Sequence, residues 1–218
     1  MFVGHYGPAY AAKAAKHAIP LWIAFLAVQL LDVIWSILVL LGIEKVRIVP
    51  GVVTTYALDL YYMPYTHSLP GAIFWSLVAA AVYRLLRRAD GWWAAAIIGA
   101  AVFSHWVLDL VVHRPDLALY DNTDKVGLSL WNYPVPAVLL EVAVLFAGMY
   151  LYLRTSQAIS AVGRYGVVVL GLAMAVIHSV TFLGFPPASG KAFAAWALLA
   201  YIGFAASAYW LERGRAPR

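Results

Sequence analysis

The chain has 218 residues, 64% of them hydrophobic and 11% charged, with a mean hydropathy of +0.81. No soluble domain of this size needs so much apolar surface, so the composition is that of an integral membrane protein. The 15 Lys and Arg outnumber 10 acidic residues without forming a basic patch, which excludes a nucleic-acid partner, and the absence of cysteine excludes disulfides and leaves only nitrogen and oxygen donors for any metal.

Residues 1–19 form a weakly amphipathic start carrying His5, Lys13, Lys16 and His17. Two placements are open for it: an interfacial helix with His5 at the surface, or a re-entrant helix that lifts His5 about 12 Å from Lys13 toward the membrane interior. The first apolar span covers 20–42, with Pro20 at a first helical position and Gln29 and Asp32 inside it. No cleavage-site pattern follows that run, so no signal peptide is expected. A polar, Tyr- and Pro-containing connection over 43–66 is expected to lie along the membrane interface. The second span, 68–86, is entered through YTHSLPG, where Thr66 or Ser68 can cap and Pro70 suits the first turn.

The third span, 92–113, closes at Arg114-Pro115, since proline disfavours helix in the residue before it. Spans at 133–153, 165–184 and 192–211 complete an expected all-α, polytopic bundle of six transmembrane helices in a single domain. Ten of the Lys and Arg fall at the N-terminus, the second and fourth connections and the C-terminus, against five in the other three connections. Both termini are therefore expected in the cytoplasm.

Within the third span the stretch SHWVLDLVVHRPDL places His105, Asp109 and His113 four residues apart. At 100° per residue they fall within about 80° of arc, so all three can face one point. Imidazole and carboxylate are ligands of zinc and similar divalent ions, and ionisable residues inside a membrane are usually functional. His67, at the mouth of the second helix, and Asp32 and Glu141 lie at compatible depths. His178, alone on an apolar face, reads as a satisfied core histidine. Asp59 reads as a loop acid and reserve ligand, His17 as interfacial, and Arg114 as a snorkelling side chain or a phosphate contact.

GHYGPA near the N-terminus, the mid-helix Asp32, YTHSL, SHWVLD and LWNYP together resemble the bacterial membrane-bound metal-dependent hydrolases, which include LexA-regulated inner-membrane hydrolases. That family is distantly similar to zinc-dependent phospholipase C and the single-strand-specific zinc nucleases. The resemblance covers roughly residues 1–140. It implies His5, Asp32, His67, His105 and Asp109 as metal ligands, and more loosely His113 and Glu141. Glu141 would be a ligand or general base and Asp109 a catalytic carboxylate, with Asp109 or Asp32 bridging two ions. Three features depart from the family pattern. Met63-Pro64-Tyr65 stands where a basic residue and glycine are usual, Asp32 stands alone where two aspartates are usual, and the last two spans have no counterpart.

The expected activity is hydrolysis of a phosphoester in a membrane lipid or lipid-linked substrate. About one to three ions would serve it, zinc first, with manganese or iron as alternatives. The site would open toward the outer half of the inner membrane, and an oligomer is compatible with it. The competing expectation is a metal-ion or proton transporter using the same residues.

Overall fold

The computed structural model describes residues 1–49, 57–183 and 187–218. A 3-10 turn, Val3–His5, leads into helix α1 (Tyr6–Ala15), followed by α2 (Leu21–Val28) and α3 (Leu30–Leu40). Strands β1 (Lys45–Ile48) and β2 (Leu58–Tyr62) precede α4 (Leu69–Leu86) and α5 (Gly91–Val112). A second strand pair, β3 (Leu117–Tyr120) and β4 (Thr123–Val126), leads to α6 (Pro134–Thr155). Strand β5 (Ser156–Ala158), helices α7 (Ala161–Leu183) and α8 (Gly190–Glu212) and strand β6 (Arg215–Pro217) complete the order.

Among the described residues α4 to α8 are each long and apolar enough to cross a membrane. Helices of 18 to 23 residues reach roughly 27–35 Å at 1.5 Å per residue, the thickness of a bilayer's hydrocarbon core. Their outer faces present Phe74, Leu77, Leu139, Val176 and Leu199. Exposed Trp92, Trp93, Tyr165 and Trp210 stand at one end of the bundle, and Tyr65, Tyr120 and Tyr133 at the other. This is the arrangement of aromatic rings at two water–lipid boundaries.

The expected all-α bundle is therefore present, with local corrections. The first span is not one straight helix: α2 and α3 are bent by 56° at Gln29, and count as one crossing only as a broken pair. Gln29 is fully buried, and its Nε2 donates to the Phe2 carbonyl at 3.1 Å. The bend follows from a side chain entering the helix ladder, because the Val28 carbonyl is bonded by His105 Nδ1 at 2.7 Å. Helix α5 stops at Val112, leaving His113 extended at its C-cap. The fifth span starts earlier than expected, at Ala161, and its expected last residue, Gly184, lies outside the described residues.

The two long connections also contain strands that the apolar pattern did not foretell. β1 and β2 pair antiparallel with Arg47 opposite Asp59, and β3 pairs with β4 across a tight turn where Asp121 takes φ 48°. Aspartate tolerates that left-handed geometry better than most residues. Helix α3 ends in a Schellman motif, with Gly42 at φ 76° and Ile43 N–H bonded to the Leu38 carbonyl at 2.8 Å. That reversal sends Glu44 back toward the bundle. At the first turn of α4 it is Ser68 that caps, accepting from Gly71 N–H at 3.1 Å.

Of the two placements open for the N-terminus, the structure adopts the buried one. Val3, His5, Tyr6, Ala9 and Tyr10 are all fully buried, with α1 packed against α6. Glycines permit the contact: a Cβ on Gly7 would stand 2.3 Å from the Val144 carbonyl oxygen, and one on Gly148 would stand 2.0 Å from the carbonyl oxygen of Gly7. At the far end of α1, Lys13 pairs with Glu212, whose other oxygen accepts Leu21 N–H at 2.8 Å and so closes the first turn of α2.

This packing predicts different responses from two chemically identical changes. Gly148→Ala should lower the thermal unfolding midpoint in detergent, since overpacking against backbone costs about 1–3 kcal/mol. Gly203→Ala, where an added Cβ meets nothing within 4 Å, should leave it unchanged or raise it. Equal responses would refute the close α1–α6 contact.

Candidate metal centre

The site is assembled on α5, where one helical turn sets His105 Nε2 3.1 Å from Asp109 Oδ2. Both residues are buried. The bend between α2 and α3 brings Asp32, in the first turn of α3, against the same point: its Oδ1 lies 3.6 Å from His105 Nε2 and 3.3 Å from His67 Nε2. Tyr201 donates to Asp32 Oδ2 at 2.8 Å, leaving Oδ1 to the histidines. His67 arrives from the turn before α4, and its Nε2 is also 3.7 Å from Asp109 Oδ2.

The buried N-terminus supplies the opposite side. The His5 ring stacks on His105, with centroids 3.7 Å apart and planes at 9°, and its Nε2 lies 3.2 Å from Asp109 Oδ1. The amino group of Met1 also contacts that oxygen. His113, just past the end of α5, turns back so that Nε2 stands 3.6 Å from Asp109 Oδ1. The two oxygens of Asp109 thus face different partners: Oδ1 meets His5 and His113, and Oδ2 meets His105 and His67. Ligand atoms of His5, His105 and Asp109 lie within 4.8 Å of one another, and so do those of Asp32, His67 and His105.

Outer partners orient three of the rings. His105 Nδ1 bonds the Val28 carbonyl at 2.7 Å, His113 Nδ1 bonds Asp116 Oδ1 at 2.9 Å, and His67 Nδ1 bonds Thr66 Oγ1 at 2.7 Å. In each case Nδ1 is engaged outward and Nε2 points at the carboxylates. Anchoring one ring nitrogen this way fixes the tautomer and presents the other as a ligand. His105 Nε2 and both ring nitrogens of His5 make no hydrogen bond, although all are buried. Among the described residues no Lys or Arg side chain pairs with Asp32 or Asp109. Orphaned imidazole nitrogens converging on the buried Asp109 and the half-buried Asp32 fit a divalent cation, which would satisfy the lone pairs and offset the charge.

Glu141 is not drawn into either ligand group. It is fully buried on α6, and its Oε2 accepts Phe2 N–H at 2.7 Å and Gly4 N–H at 3.4 Å. It holds the turn that carries His5. His178 is not isolated: its Nε2 lies 3.8 Å from Glu141 Oε2, and its ring packs on Phe182. Asp59 is held between Arg47, at 2.6 Å, and Arg114, away from the ligand groups. Arg114 therefore neither snorkels free nor faces an open site, its Nε lying 3.5 Å from Asp116. His17 is half-buried near Lys13, at the end of the bundle away from the site.

Tyr201, on α8, escaped the sequence reading, and so did three contributors around the outer histidine nitrogens. Asp116 stands three residues after His113, a spacing that could have suggested the pair. Glu44 and Thr66 meet only through the turn at Gly42, and no sequence interval links them. Glu44 is buried; its Oε1 accepts Tyr65 N–H and Thr66 N–H at 2.9 and 3.0 Å, and its Oε2 accepts the Thr66 hydroxyl at 2.7 Å. Burial pushes this carboxyl up, opposed by His67 and by those hydrogen bonds. Comparison of the chain with family models, curated proteins and solved structures found no match.

The role of Glu141 can be checked directly. Glu141→Gln keeps an acceptor for Phe2 and Gly4, whereas Glu141→Ala leaves buried N–H groups unpaired at about 1–3 kcal/mol. Only the alanine variant should speed hydrogen exchange at Phe2 and Gly4 and lower the unfolding midpoint. Equal effects would remove the anchoring role.

Proposed function

We propose that the protein is a metal-dependent hydrolase of the bacterial or archaeal cytoplasmic membrane that cleaves a phosphoester in a lipid or lipid-linked substrate. The observation that carries this reading is the convergence of four imidazoles on Asp109 and Asp32, three of them anchored outward through Nδ1 and two, His5 and His105, with buried nitrogens that make no hydrogen bond. Zinc suits this nitrogen and oxygen donor set, and manganese or iron are alternatives. A divalent ion held by His5, Asp32, His67, His105 and Asp109, with His113 beside them, would supply Lewis acidity toward water and a phosphoryl oxygen.

The chain's own residues do the rest. Asp109, whose oxygens face different histidines, is placed to bridge two ligand positions. Tyr201 and the outer partners of His67, His105 and His113 hold the donors in one geometry before substrate arrives. Trp131, with its ring 4.2 Å from that of His113, walls one side of the centre. Glu141 keeps the His5 turn in place, a positioning role in this reading.

The lipid assignment rests on location. The centre is buried among helices whose outer faces are apolar, and it lies toward the hairpin end of the bundle, where the fewer Lys and Arg occur. By the positive-inside rule that end faces outward, and the Lys13 end of α1 and the C-terminus face the cytoplasm, while the expected cytoplasmic placement of the N-terminus gives way to its burial against Asp109. The family resemblance of the ligand motifs supports the same activity. Transport through the same residues is disfavoured by the other half of the bundle. There Tyr6, Tyr10, Phe25 and Tyr152 are buried, with Tyr10 packed ring-on-ring against Phe25 at 5.1 Å and Tyr152 at 5.7 Å.

Elemental mass spectrometry of the detergent-purified protein tests the proposal. The wild type should hold about one to three divalent ions per chain, Asp109→Ala should lose them, and only the loaded wild type should release phosphate or a phosphorylated headgroup from mixed phospholipid vesicles. Absence of metal after incubation with zinc, manganese and iron would overturn it.

A further inference from the structure

The Thr66 hydroxyl sits between a carboxylate and a metal-facing imidazole, and it has one proton to give. Glu44 Oε1 is already occupied by two backbone N–H groups, and Oε2 takes the Thr66 hydroxyl at 2.7 Å. A carboxylate only accepts, so the Thr66 proton goes to Glu44 and the Thr66 oxygen is left as an acceptor. His67 Nδ1, 2.7 Å from that oxygen, must then carry the hydrogen. In the neutral ring the lone pair is then on Nε2, the nitrogen that faces Asp32 Oδ1 and Asp109 Oδ2 at 3.3 and 3.7 Å and that a bound cation would take up.

Glu44 is 1% exposed and makes no ion pair with Lys or Arg among the described residues. Its hydrogen bonds from outside its own turn come from the Tyr65–Thr66 segment. A buried acid with no cationic partner is costly unless its hydrogen bonds are needed. Met63-Pro64-Tyr65 cannot hold His67 by charge, and Glu44 supplies the constraint from the other side of the turn.

We infer that Glu44 and Thr66 form a positioning relay that fixes the tautomer of His67 and so aims its Nε2 lone pair into the metal centre. The inference deepens the metal-centre reading and rests on it for its purpose, but not for its geometry. The hydrogen-bond order is a property of the metal-free chain, and it reverses under one isosteric change. In Glu44→Gln the carboxamide oxygen keeps the two backbone donors, and the carboxamide N–H now donates to Thr66. The Thr66 hydroxyl must then donate to His67, leaving Nδ1 bare and Nε2 protonated toward the carboxylates.

Histidine-selective nitrogen NMR on metal-free protein reads this directly, with the His67 signal assigned by its loss in His67→Asn. Wild type and Thr66→Ser should show a protonated, pyrrole-like Nδ1, and Glu44→Gln a bare, pyridine-like Nδ1. In zinc titrations Glu44→Gln and Thr66→Val should each bind about 10–100-fold more weakly, Thr66→Ser close to wild type, and Glu44→Gln should add nothing in a Thr66→Val background. An Nδ1 signal unchanged by Glu44→Gln, or full additivity of the two changes, would overturn the relay. Should Glu44→Gln fail to fold, the contrast between Thr66→Ser and Thr66→Val decides on the same grounds. A wild type that shows the protonated Nδ1, and its loss in Glu44→Gln, yet binds no zinc would sink the metal reading and leave the relay standing.

Discussion

The organisation of this protein depends on how two carboxylates, Asp109 and Asp32, are kept inside an apolar bundle. An isolated buried carboxylate is prohibitively costly, and paired charges repay that cost only when their remaining lone pairs are met. Here Asp109 meets the Met1 amino group and imidazoles, Asp32 meets imidazoles and the Tyr201 hydroxyl, and among the described residues no Lys or Arg side chain pairs with either. Four histidines approach the pair within 3.1 to 3.7 Å, and three of them are turned to it by a bond on the far ring nitrogen. The arrangement is aimed rather than merely satisfied, since His5 and His105 keep buried nitrogens with no hydrogen-bond partner.

Several otherwise irregular features follow from serving that point. The bend at Gln29 gives His105 a backbone carbonyl to hold and swings Asp32 inward. The Gly7–Gly148 contact admits α1 between the helices, where a side chain on either glycine would exclude it. Glu141 ties down the amides of Phe2 and Gly4 so that His5 stacks on His105. At the mouth, the Arg47–Asp59–Arg114 cluster binds the first hairpin to the end of α5, and Asp116 links that cluster to His113. The deviations from a plain bundle of straight helices thus gather around the centre.

The five long apolar helices among the described residues, the apolar run of the broken α2–α3 pair and the spacing of His105, Asp109 and His113 were legible because a helical period and a bilayer thickness both leave a mark in sequence. The bend was not, since a buried glutamine within an apolar run looks the same in a straight helix; its cause, His105, is 77 residues away. The hairpins were missed because they lie in polar connections with little apolar alternation to announce them. The burial of His5 was one of two open placements, and it turned on glycine contacts that composition does not encode. Glu141 stood out by the cost of an acid in a membrane, but that cost cannot distinguish a ligand or general base from an anchor for the amides of Phe2 and Gly4. Glu44 was invisible because its partner is reached through the reversal at Gly42.

The most direct test of the central claim is anomalous diffraction at the zinc absorption edge from crystals of the zinc-loaded protein. The account predicts an anomalous peak between Asp109 and the Nε2 atoms of the surrounding histidines, with nitrogen and oxygen contacts of about 2.0–2.2 Å. A loaded crystal with no peak there, or with its only peaks on surface residues, would contradict it.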